Sequence, residues 1–294
     1  MNLPDYLSRQ QQLVDAELDR LVPSAATPPE TIHRAMRYSL FAGGKRVRPI
    51  LCMEAARAVS DHTAGIGTPA CALEMVHTYS LIHDDLPALD NDDLRRGKPT
   101  CHKVFGEAMA ILAGDALLTF AFQVLGAMES VDATRKARMI LELATAAGTP
   151  GGMIAGQVCD LEGEGKTPDP VMLDTIHRAK TGALLRASLR MGAICAGASG
   201  EQYDALSCYG EHIGLAFQIV DDLLDVLETS EALGKTAGKD ASQHKMTFPA
   251  VYGLEESWRM AELEGGRALE ALAVFGARAG RLGELADLIV RRRA

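Results

Sequence analysis

Two short aspartate-rich segments carry the residues whose chemistry is easiest to define. The later one, Asp221-Asp222-Leu223-Leu224-Asp225, follows residues 215–220, which are apolar apart from Gln218. Because an α-helix turns by about 100° per residue, Asp221 and Asp225 share one helix face, and Gln218 lies one turn below. A carboxylate among such apolar neighbours must pair with a cation or coordinate a metal ion.

The earlier segment, Asp84-Asp85-Leu86-Pro87-Ala88-Leu89-Asp90, has a different geometry. On an unbroken helix Asp84 and Asp90 would lie about 120° apart. Pro87 lacks a backbone donor and biases the preceding residue away from the helical region, so the helix is predicted to end there. Asp90 can then fold back toward Asp84. His77 lies two turns before Asp84 on the same helix face.

Together the two segments favour a hard cation. Carboxylates without Cys or His partners suit Mg²⁺ or Ca²⁺, and Mg²⁺ is favoured if a phosphate supplies further oxygens. An EF-hand is excluded, because Arg95 stands where a loop beginning at Asp90 would need its glycine. A single acidic cluster would most often be a solvated helix end, but two of them at the ends of apolar runs argue against that interpretation.

Basic residues stand near both acidic segments. Gly43–Pro49 reads Gly-Gly-Lys-Arg-Val-Arg-Pro and joins a turn to a helix start, where backbone N–H groups and basic side chains both suit phosphate. Arg95 and Arg96 follow the first acidic segment, Lys-Thr-Gly occupies 180–182, and a lysine- and glycine-rich loop covers about 233–246, with Lys235 and Lys245 in it. Each alone is most simply a solvated charge, but their placement indicates a polyanion site.

Two glycine patterns suggest other interpretations. Gly234-Lys235-Thr236 resembles the end of a P-loop, but Thr229 occupies the position of its first glycine and a helical pattern precedes it. Gly156, four residues after another glycine, most simply allows two helices to cross closely. Gln157 and Asp160 on that helix could face a polar cavity or serve only packing, and the sequence leaves both interpretations open.

The composition excludes several classes of protein. Of the 294 residues 47% are hydrophobic but only 5% aromatic, which favours helices over strands. The net charge of -9 argues against a general nucleic-acid binder. No signal peptide is evident, and charges interrupt the apolar runs before the ~18 residues of a membrane span. Six scattered cysteines without a Cys-x-x-Cys pair predict reduced thiols and a cytoplasmic protein.

Helical patterns dominate the chain, and no convincing strand pattern occurs. The simplest interpretation is one all-α domain spanning 1–294, a single large helical bundle. Its helices are predicted at about 3–21, 28–41, 49–60, 70–86, 104–128, 133–148, 151–162, 170–198, 201–229, 247–272 and 277–293.

These segments resemble the trans-isoprenyl diphosphate synthases, the polyprenyl synthetase family, and are most similar to the bacterial farnesyl and plant geranylgeranyl types. The resemblance runs in order from about residue 30 to 250. It rests on both acidic segments, the motifs at 43–49, 92–100 and 180–182, and the late lysine loop. It implies an all-α fold around a central cavity, usually a homodimer, with the acidic motifs facing each other across the cavity mouth. Mg²⁺ is the implied cofactor, and isopentenyl diphosphate and an allylic diphosphate are the implied substrates.

The resemblance also implies a role for each matching residue. Magnesium would be bound by Asp84, Asp90 and Asp221, with Asp85 and Asp225 in support. The allylic diphosphate would be held by Arg95, Lys180, Thr181, Gln218, Lys235 and Lys245. Isopentenyl diphosphate would lie in a metal-free site made of Lys45, Arg48, His77 and Arg96. Ionisation of the allylic diphosphate, attack by the isopentenyl double bond and loss of a proton would follow, with the five aspartates, Lys180 and Lys235 as catalytic residues.

Chain length is attributed in this family to residues just ahead of the first acidic motif. Tyr79 and Ser80 stand five and four residues before Asp84, and a tyrosine there resembles the C15 type. Farnesyl diphosphate is therefore the predicted main product, with geranylgeranyl diphosphate as the alternative. A terpene cyclase or a non-catalytic synthase subunit fits less well, because two cationic sites and two complete acidic motifs are present. Arg291-Arg292-Arg293 could cover a diphosphate, but a solvated end is favoured.

Overall fold

The computed structural model describes residues 1–227 and 245–291, and within these ranges it confirms the all-α class. The α-helices are α1 Leu3–Leu21, α2 Glu30–Leu40, α3 Val47–Val59, α4 Gly67–Asp84, α5 Cys101–Phe105, α6 Glu107–Gly126, α7 Ala133–Ala147, α8 Met153–Gly163, α9 Pro170–His177, α10 Ala183–Ala196, α11 Gly200–Leu227, α12 Phe248–Tyr252, α13 Leu254–Ala271 and α14 Gly280–Val290. A π-helical segment, Arg178–Gly182, joins α9 to α10, and a 3₁₀ segment, Ala273–Ala279, precedes α14.

Local sequence signals account for many helix ends. The side chain of Asn2 caps α1 by accepting from the Asp5 N–H at 2.9 Å. Asp169 caps α9 in the same way, directly before a proline at the first helical position. Gly197 ends α10 in the left-handed conformation, with a φ of 77°, which glycine adopts without steric cost.

Three sequence predictions about the elements were wrong. The single helix predicted at 247–272 is divided at Gly253 into α12 and α13. The continuous helix predicted at 170–198 is divided by the π-helical segment, and the loop predicted at 91–102 contains a small hairpin, β1 Leu94–Arg95 and β2 Lys98–Pro99. Strands of two residues are too short to show an alternating pattern. The hairpin turn, Arg96-Gly97, has positive φ at both residues, as in the tight turns that match strand twist.

The chain divides into two compact units. Unit 1 comprises Met1–Ile50 and Ala64–Ile140, and unit 2 comprises Leu51–Thr63 and Leu141–Ala294. The single domain predicted from the sequence stays a prediction.

Unit 1 contains the first acidic motif at the end of α4. This helix is buried along most of its length, and it packs against α6. Arg46, with a φ of 50°, is buried and bonds Glu74 at 2.7 Å, Asp15 at 2.9 Å and the Leu40 carbonyl at 2.7 Å. Because its donors are used by these partners, Arg46 has a structural role in the basic segment Gly43–Pro49.

Helix α6 is the one helix among the described residues that is long and apolar enough, by length and composition alone, to cross a membrane. The core helix of a water-soluble protein meets the same criteria. The buried face of α6 includes Ala113 and Gly114, and a methyl group at Gly114 would overlap the His83 ring on α4. Close packing against α4 therefore explains the small apolar residues on this face.

Unit 2 contains the second acidic motif near the end of α11. Helices α10 and α13 both pack against α11. The buried Tyr209 on α11 donates to the Leu282 carbonyl at 2.8 Å. An apolar cluster that includes Leu173, Ile219 and Phe248 surrounds the C-terminal part of α11. The second acidic motif therefore begins on a helix that is fixed on several sides.

Candidate functional site

The first acidic motif folds back as the sequence predicts. Helix α4 ends at Asp84, and the Asp90 N–H donates to the Asp84 carbonyl at 2.8 Å. Asn91, with a φ of 50°, donates its N–H to the Leu86 carbonyl at 3.1 Å. Asp84 and Asp90 are both half-buried, so their carboxylates combine a fixed backbone with access to solvent.

Asp85 differs from its neighbour Asp84. Its side chain is buried, and it accepts from Arg95 Nε at 3.0 Å and from Arg95 Nη2 at 2.5 Å. Burial raises the pKa of Asp85, and the Arg95 guanidinium acts in the opposite direction. Arg95 Nη2 also lies 3.4 Å from Asp92. Asp85 therefore orients Arg95, a role that the sequence prediction of metal support does not include.

A cluster of arginine side chains surrounds His77 in unit 1. Burial lowers the pKa of His77 well below its usual value, and the nearby guanidinium groups of Arg48 and Arg96 lower it further. The structure thus brings three of the four predicted isopentenyl diphosphate ligands together. The fourth, Lys45, is exposed. The Arg96 side chain donates to the Gly43 carbonyl, which joins the β1–β2 hairpin to the turn before α3.

The second acidic motif also pairs a half-buried first aspartate with a buried second one. Asp221 is half-buried, whereas Asp222 is 3% exposed. Asp222 accepts from His177 Nε2 at 2.8 Å, from Gln218 Nε2 at 2.9 Å and from the Phe248 N–H at 2.9 Å. Sequence reasoning assigned no role to Asp222 or His177. The spacing of four between Gln218 and Asp222 was the available signal.

The predicted phosphate-binding Lys180 and Thr181 lie on the π-helical segment, and both are half-buried. Lys180 Nζ donates to Asp160 on α8 at 2.7 Å. A methyl group at Gly156 of α8 would overlap the Lys180 backbone, which confirms the predicted close helix crossing. Asp160 therefore contacts Lys180, a predicted diphosphate ligand, and does not serve packing alone. The buried Gln157 Oε1 accepts no hydrogen bond in the described part of the chain.

The carboxylate oxygens of the two acidic motifs suit Mg²⁺ better than a metal ion whose ligands all come from the protein. No three His, Cys, Asp or Glu side chains cluster as a metal site within residues 1–227 and 245–291. Mg²⁺ commonly binds through one or two carboxylates, with waters and substrate phosphates completing its shell. The half-buried carboxylates of Asp84 and Asp90 in unit 1 and of Asp221 in unit 2 are oxygen donors of this kind.

Several other predicted residues are placed as follows. Asp225 is buried and Lys245 is half-buried. Lys235 lies outside the described residues, as do Arg292 and Arg293, so the predictions for them stay predictions. Arg291 is exposed and lies 3.9 Å from Asp287.

The predicted chain-length residues lie on α4 below the first motif. Tyr79 is 5% exposed, and its ring meets the His83 ring edge-on, with centroids 5.7 Å apart. Among the described residues its hydroxyl has no hydrogen-bond partner, and burial raises its pKa to about 12. Ser80 Oγ donates to the His77 carbonyl at 2.8 Å. Tyr79 is therefore held by packing alone.

Known proteins are similar to this chain in sequence and in fold. The Polyprenyl synthetase family model matches residues 29–267. A farnesyl diphosphate synthase of Geobacillus stearothermophilus is 51% identical over 257 residues, 86% of each chain. The chloroplastic large subunit 1 of a heterodimeric geranylgeranyl pyrophosphate synthase of Arabidopsis thaliana is 50% identical over 276 residues, 92% of this chain and 74% of that one. A geranyltransferase of Helicobacter pylori, solved with magnesium and isoprenyl diphosphate, has a TM-score of 0.84 at 30% identity, covering 99% and 97% of the chains.

Proposed function

The chain belongs to the polyprenyl synthetase family and is a prenyltransferase, and from this premise we propose that it condenses isopentenyl diphosphate with dimethylallyl or geranyl diphosphate in a magnesium-dependent reaction. The observation that carries the proposal is the contrast between two kinds of anion site in unit 1. Asp84 and Asp90 offer half-buried carboxylate oxygens of the kind that bind Mg²⁺, whereas the guanidinium groups of Arg48 and Arg96 offer positive charge beside the neutral His77 ring. Two diphosphates held in different ways are what a condensation requires.

The allylic diphosphate is assigned to the metal-binding residues. Asp84, Asp90 and Asp221 would hold Mg²⁺, which supplies the positive charge that stabilises a departing diphosphate. Lys180 and Lys245 would hold the same diphosphate, and Asp85 would keep Arg95 directed at it. This assignment is supported by the Asp85–Arg95 and Asp160–Lys180 ion pairs, which hold the two cationic side chains in place.

The isopentenyl diphosphate is assigned to Lys45, Arg48, His77 and Arg96. The basic side chains and the neutral His77 ring would anchor this substrate without a metal, and its diphosphate is not the leaving group. Its double bond attacks the allylic cation, a carbon–carbon bond forms, and a proton leaves the adjacent carbon. The released diphosphate would accept that proton. Because the allylic carbon–oxygen bond ionises first, no covalent enzyme nucleophile is needed.

We propose farnesyl diphosphate as the main product. The buried Tyr79 supports this length, because a bulky ring at that position would stop a fifteen-carbon chain. Geranylgeranyl diphosphate is the second candidate, since similar proteins include synthases of both products. A terpene cyclase is disfavoured, because it has no second diphosphate to place in the cluster around His77.

One incubation tests the reaction. The purified protein, Mg²⁺, geranyl diphosphate and labelled isopentenyl diphosphate should give labelled farnesyl diphosphate after dephosphorylation and chromatography. Asp84→Asn should lower kcat by roughly 100-fold or more, as expected when charge stabilisation of a leaving group is lost. The exposed Asp204→Asn is the matched control and should keep full activity. Absence of incorporation by the unmodified protein would refute the function.

We further propose a cytoplasmic homodimer. The exposed apolar residues Ile111 and Leu112 on α6 support self-association. The six cysteines form no disulfide in the described part of the chain, as suits a reducing compartment. Light scattering should give twice the chain mass of 31.4 kDa. Leu112→Asp should shift the mass toward the monomer, whereas the exposed Leu288→Asp on α14 should leave it unchanged.

A further inference from the structure

We propose that His177 is a positioning residue for the allylic diphosphate site and that it acts through Asp222. This inference rests on the proposed function. His177 and Asp222 are 5% and 3% exposed, so their contact is shielded from water. Because a carboxylate oxygen only accepts, the hydrogen lies on His177 Nε2, and the 2.8 Å bond fixes both the ring orientation and the tautomer.

The Asp222 carboxylate collects donors from three elements of unit 2. Oδ2 accepts from His177 at the end of α9 and from the Phe248 N–H at the start of α12. Oδ1 accepts from Gln218, one turn earlier on α11. The His177 ring also packs against the Phe248 ring, with centroids 5.2 Å apart. With both oxygens used in this way, Asp222 serves as an anchor, and the adjacent half-buried Asp221 is the proposed Mg²⁺ ligand.

Each anchored element leads directly to a candidate diphosphate ligand. His177 is followed by the π-helical segment that carries Lys180 and Thr181. Phe248 stands three residues after Lys245, and Gln218 is itself a candidate. Loss of the His177 donor would free Asp222 to rotate, and its other two donors would lose their common acceptor. The allylic diphosphate site would then be disordered, while the cluster around His77 in unit 1 would be untouched.

A second histidine–carboxylate pair on α11 provides a matched control. His212 Nδ1 lies 2.6 Å from Glu264 Oε2 and joins α11 to α13. Neither residue adjoins a candidate ligand. His212→Phe therefore removes a comparable helix-to-helix bond without touching the proposed site.

The test compares His177→Phe, which keeps the ring but not the donor, with His177→Gln, whose amide nitrogen replaces Nε2. For the whole protein we expect His177→Phe to raise the KM for geranyl diphosphate by about 10-fold, the usual scale for residues that orient ligand-binding groups. The KM for isopentenyl diphosphate should change by less than about 2-fold. His177→Gln should restore the KM for geranyl diphosphate to within about 3-fold of the original. His212→Phe should lower Tm but change neither KM.

Calorimetric titration with inorganic diphosphate and Mg²⁺ supplies a readout that does not depend on turnover. His177→Phe should weaken this binding by about 10-fold, and His212→Phe should not. His177→Asn, whose shorter amide does not reach Asp222, should match His177→Phe and replaces it if the phenylalanine variant does not fold. Equal affinities for all variants, or equal rises in both KM values, would overturn the inference. If the unmodified protein forms no product, the proposed function fails, and the calorimetry alone still decides the role of His177.

Discussion

The backbone N–H of Asp90 donates a 2.8 Å hydrogen bond to the carbonyl oxygen of Asp84. These residues are six apart, a spacing that no regular helix brings into backbone contact. The bond closes the turn around Pro87 and places both half-buried carboxylates at one end of α4. The Asp221-to-Asp225 spacing needs no such turn, because the helix itself aligns residues four apart.

Asn91 completes this turn in the left-handed region, with a φ of 50°, which asparagine tolerates better than most residues. We expect Asn91→Ala to cost about 1–2 kcal/mol of unfolding free energy. It should also raise the Mg²⁺ concentration needed for half-maximal activity several-fold, because Asp90 would be displaced. Asn91→Gly keeps the backbone conformation and is the control. Urea unfolding and a Mg²⁺ titration measure the two effects; equal behaviour of both variants would show that the turn does not set the position of Asp90.

Gly156 brings α8 against the π-helical segment. Since a methyl group there would overlap the Lys180 backbone, Gly156→Ala should cost about 1–3 kcal/mol of unfolding free energy and raise the KM for geranyl diphosphate. Gly266 on α13 faces open space, so Gly266→Ala should be neutral or stabilising by up to about 1 kcal/mol. Thermal unfolding and steady-state kinetics compare the two. An unchanged KM in Gly156→Ala would show that displacement of the Lys180 backbone does not affect binding of geranyl diphosphate.

The sequence is sufficient for features that depend on local rules. The helices, the end of α4 near Pro87 and the close approach at Gly156 all follow from backbone preferences and side-chain size. The single helix predicted at 170–198 was wrong because it did not include the π-helical segment Arg178–Gly182. The hydrogen-bond pattern of a π-helix has no characteristic residue types that a sequence would show. The segment Arg178–Gly182 lies against glycines on two other helices, and such packing is a tertiary property.

The different roles within each aspartate pair could not be predicted from spacing. Asp85 is engaged by Arg95, ten residues later, and Asp222 by His177, forty-five residues earlier. In both motifs the first aspartate stays half-buried while the second is buried by its protein donors. Which member of a pair faces a ligand depends on these distant partners. The family resemblance separated Asp84 from Asp85, but nothing in the spacing pointed to Arg95 or His177 as the partners of the buried aspartates.

Tyr79 offers a test of product length. Its hydroxyl has no partner within the described residues, so Tyr79→Phe should leave stability unchanged or slightly higher and should still give the C15 product. Tyr79→Ala removes the ring and should give C20 or longer products, at a cost of about 3–5 kcal/mol in unfolding free energy. Chromatography of the dephosphorylated products decides between them. A C15 product from Tyr79→Ala would place the end of the product cavity elsewhere.

His77 makes stability depend on pH in a defined direction. Burial and the nearby Arg48, Arg96, Arg95 and Arg46 hold its pKa well below that of the unfolded chain, which is about 6.5. Between the two pKa values the unfolded chain binds the extra proton, so unfolding becomes easier as pH falls. The stability that neutral His77 contributes is thus complete above about pH 6.5 and is lost below it.

His77→Gln removes the group that binds this proton, so the unfolding free energy of the variant should depend less on pH. In urea unfolding at pH 5.0–7.5, the original protein should lose stability relative to the variant by up to about 1.4 kcal/mol per pH unit below pH 6.5. Above that pH the two curves should run parallel, which serves as the internal control. If the original protein instead gained stability relative to the variant on acidification, His77 would be protonated in the folded state, and the neutral imidazole assigned to the isopentenyl diphosphate site would be wrong.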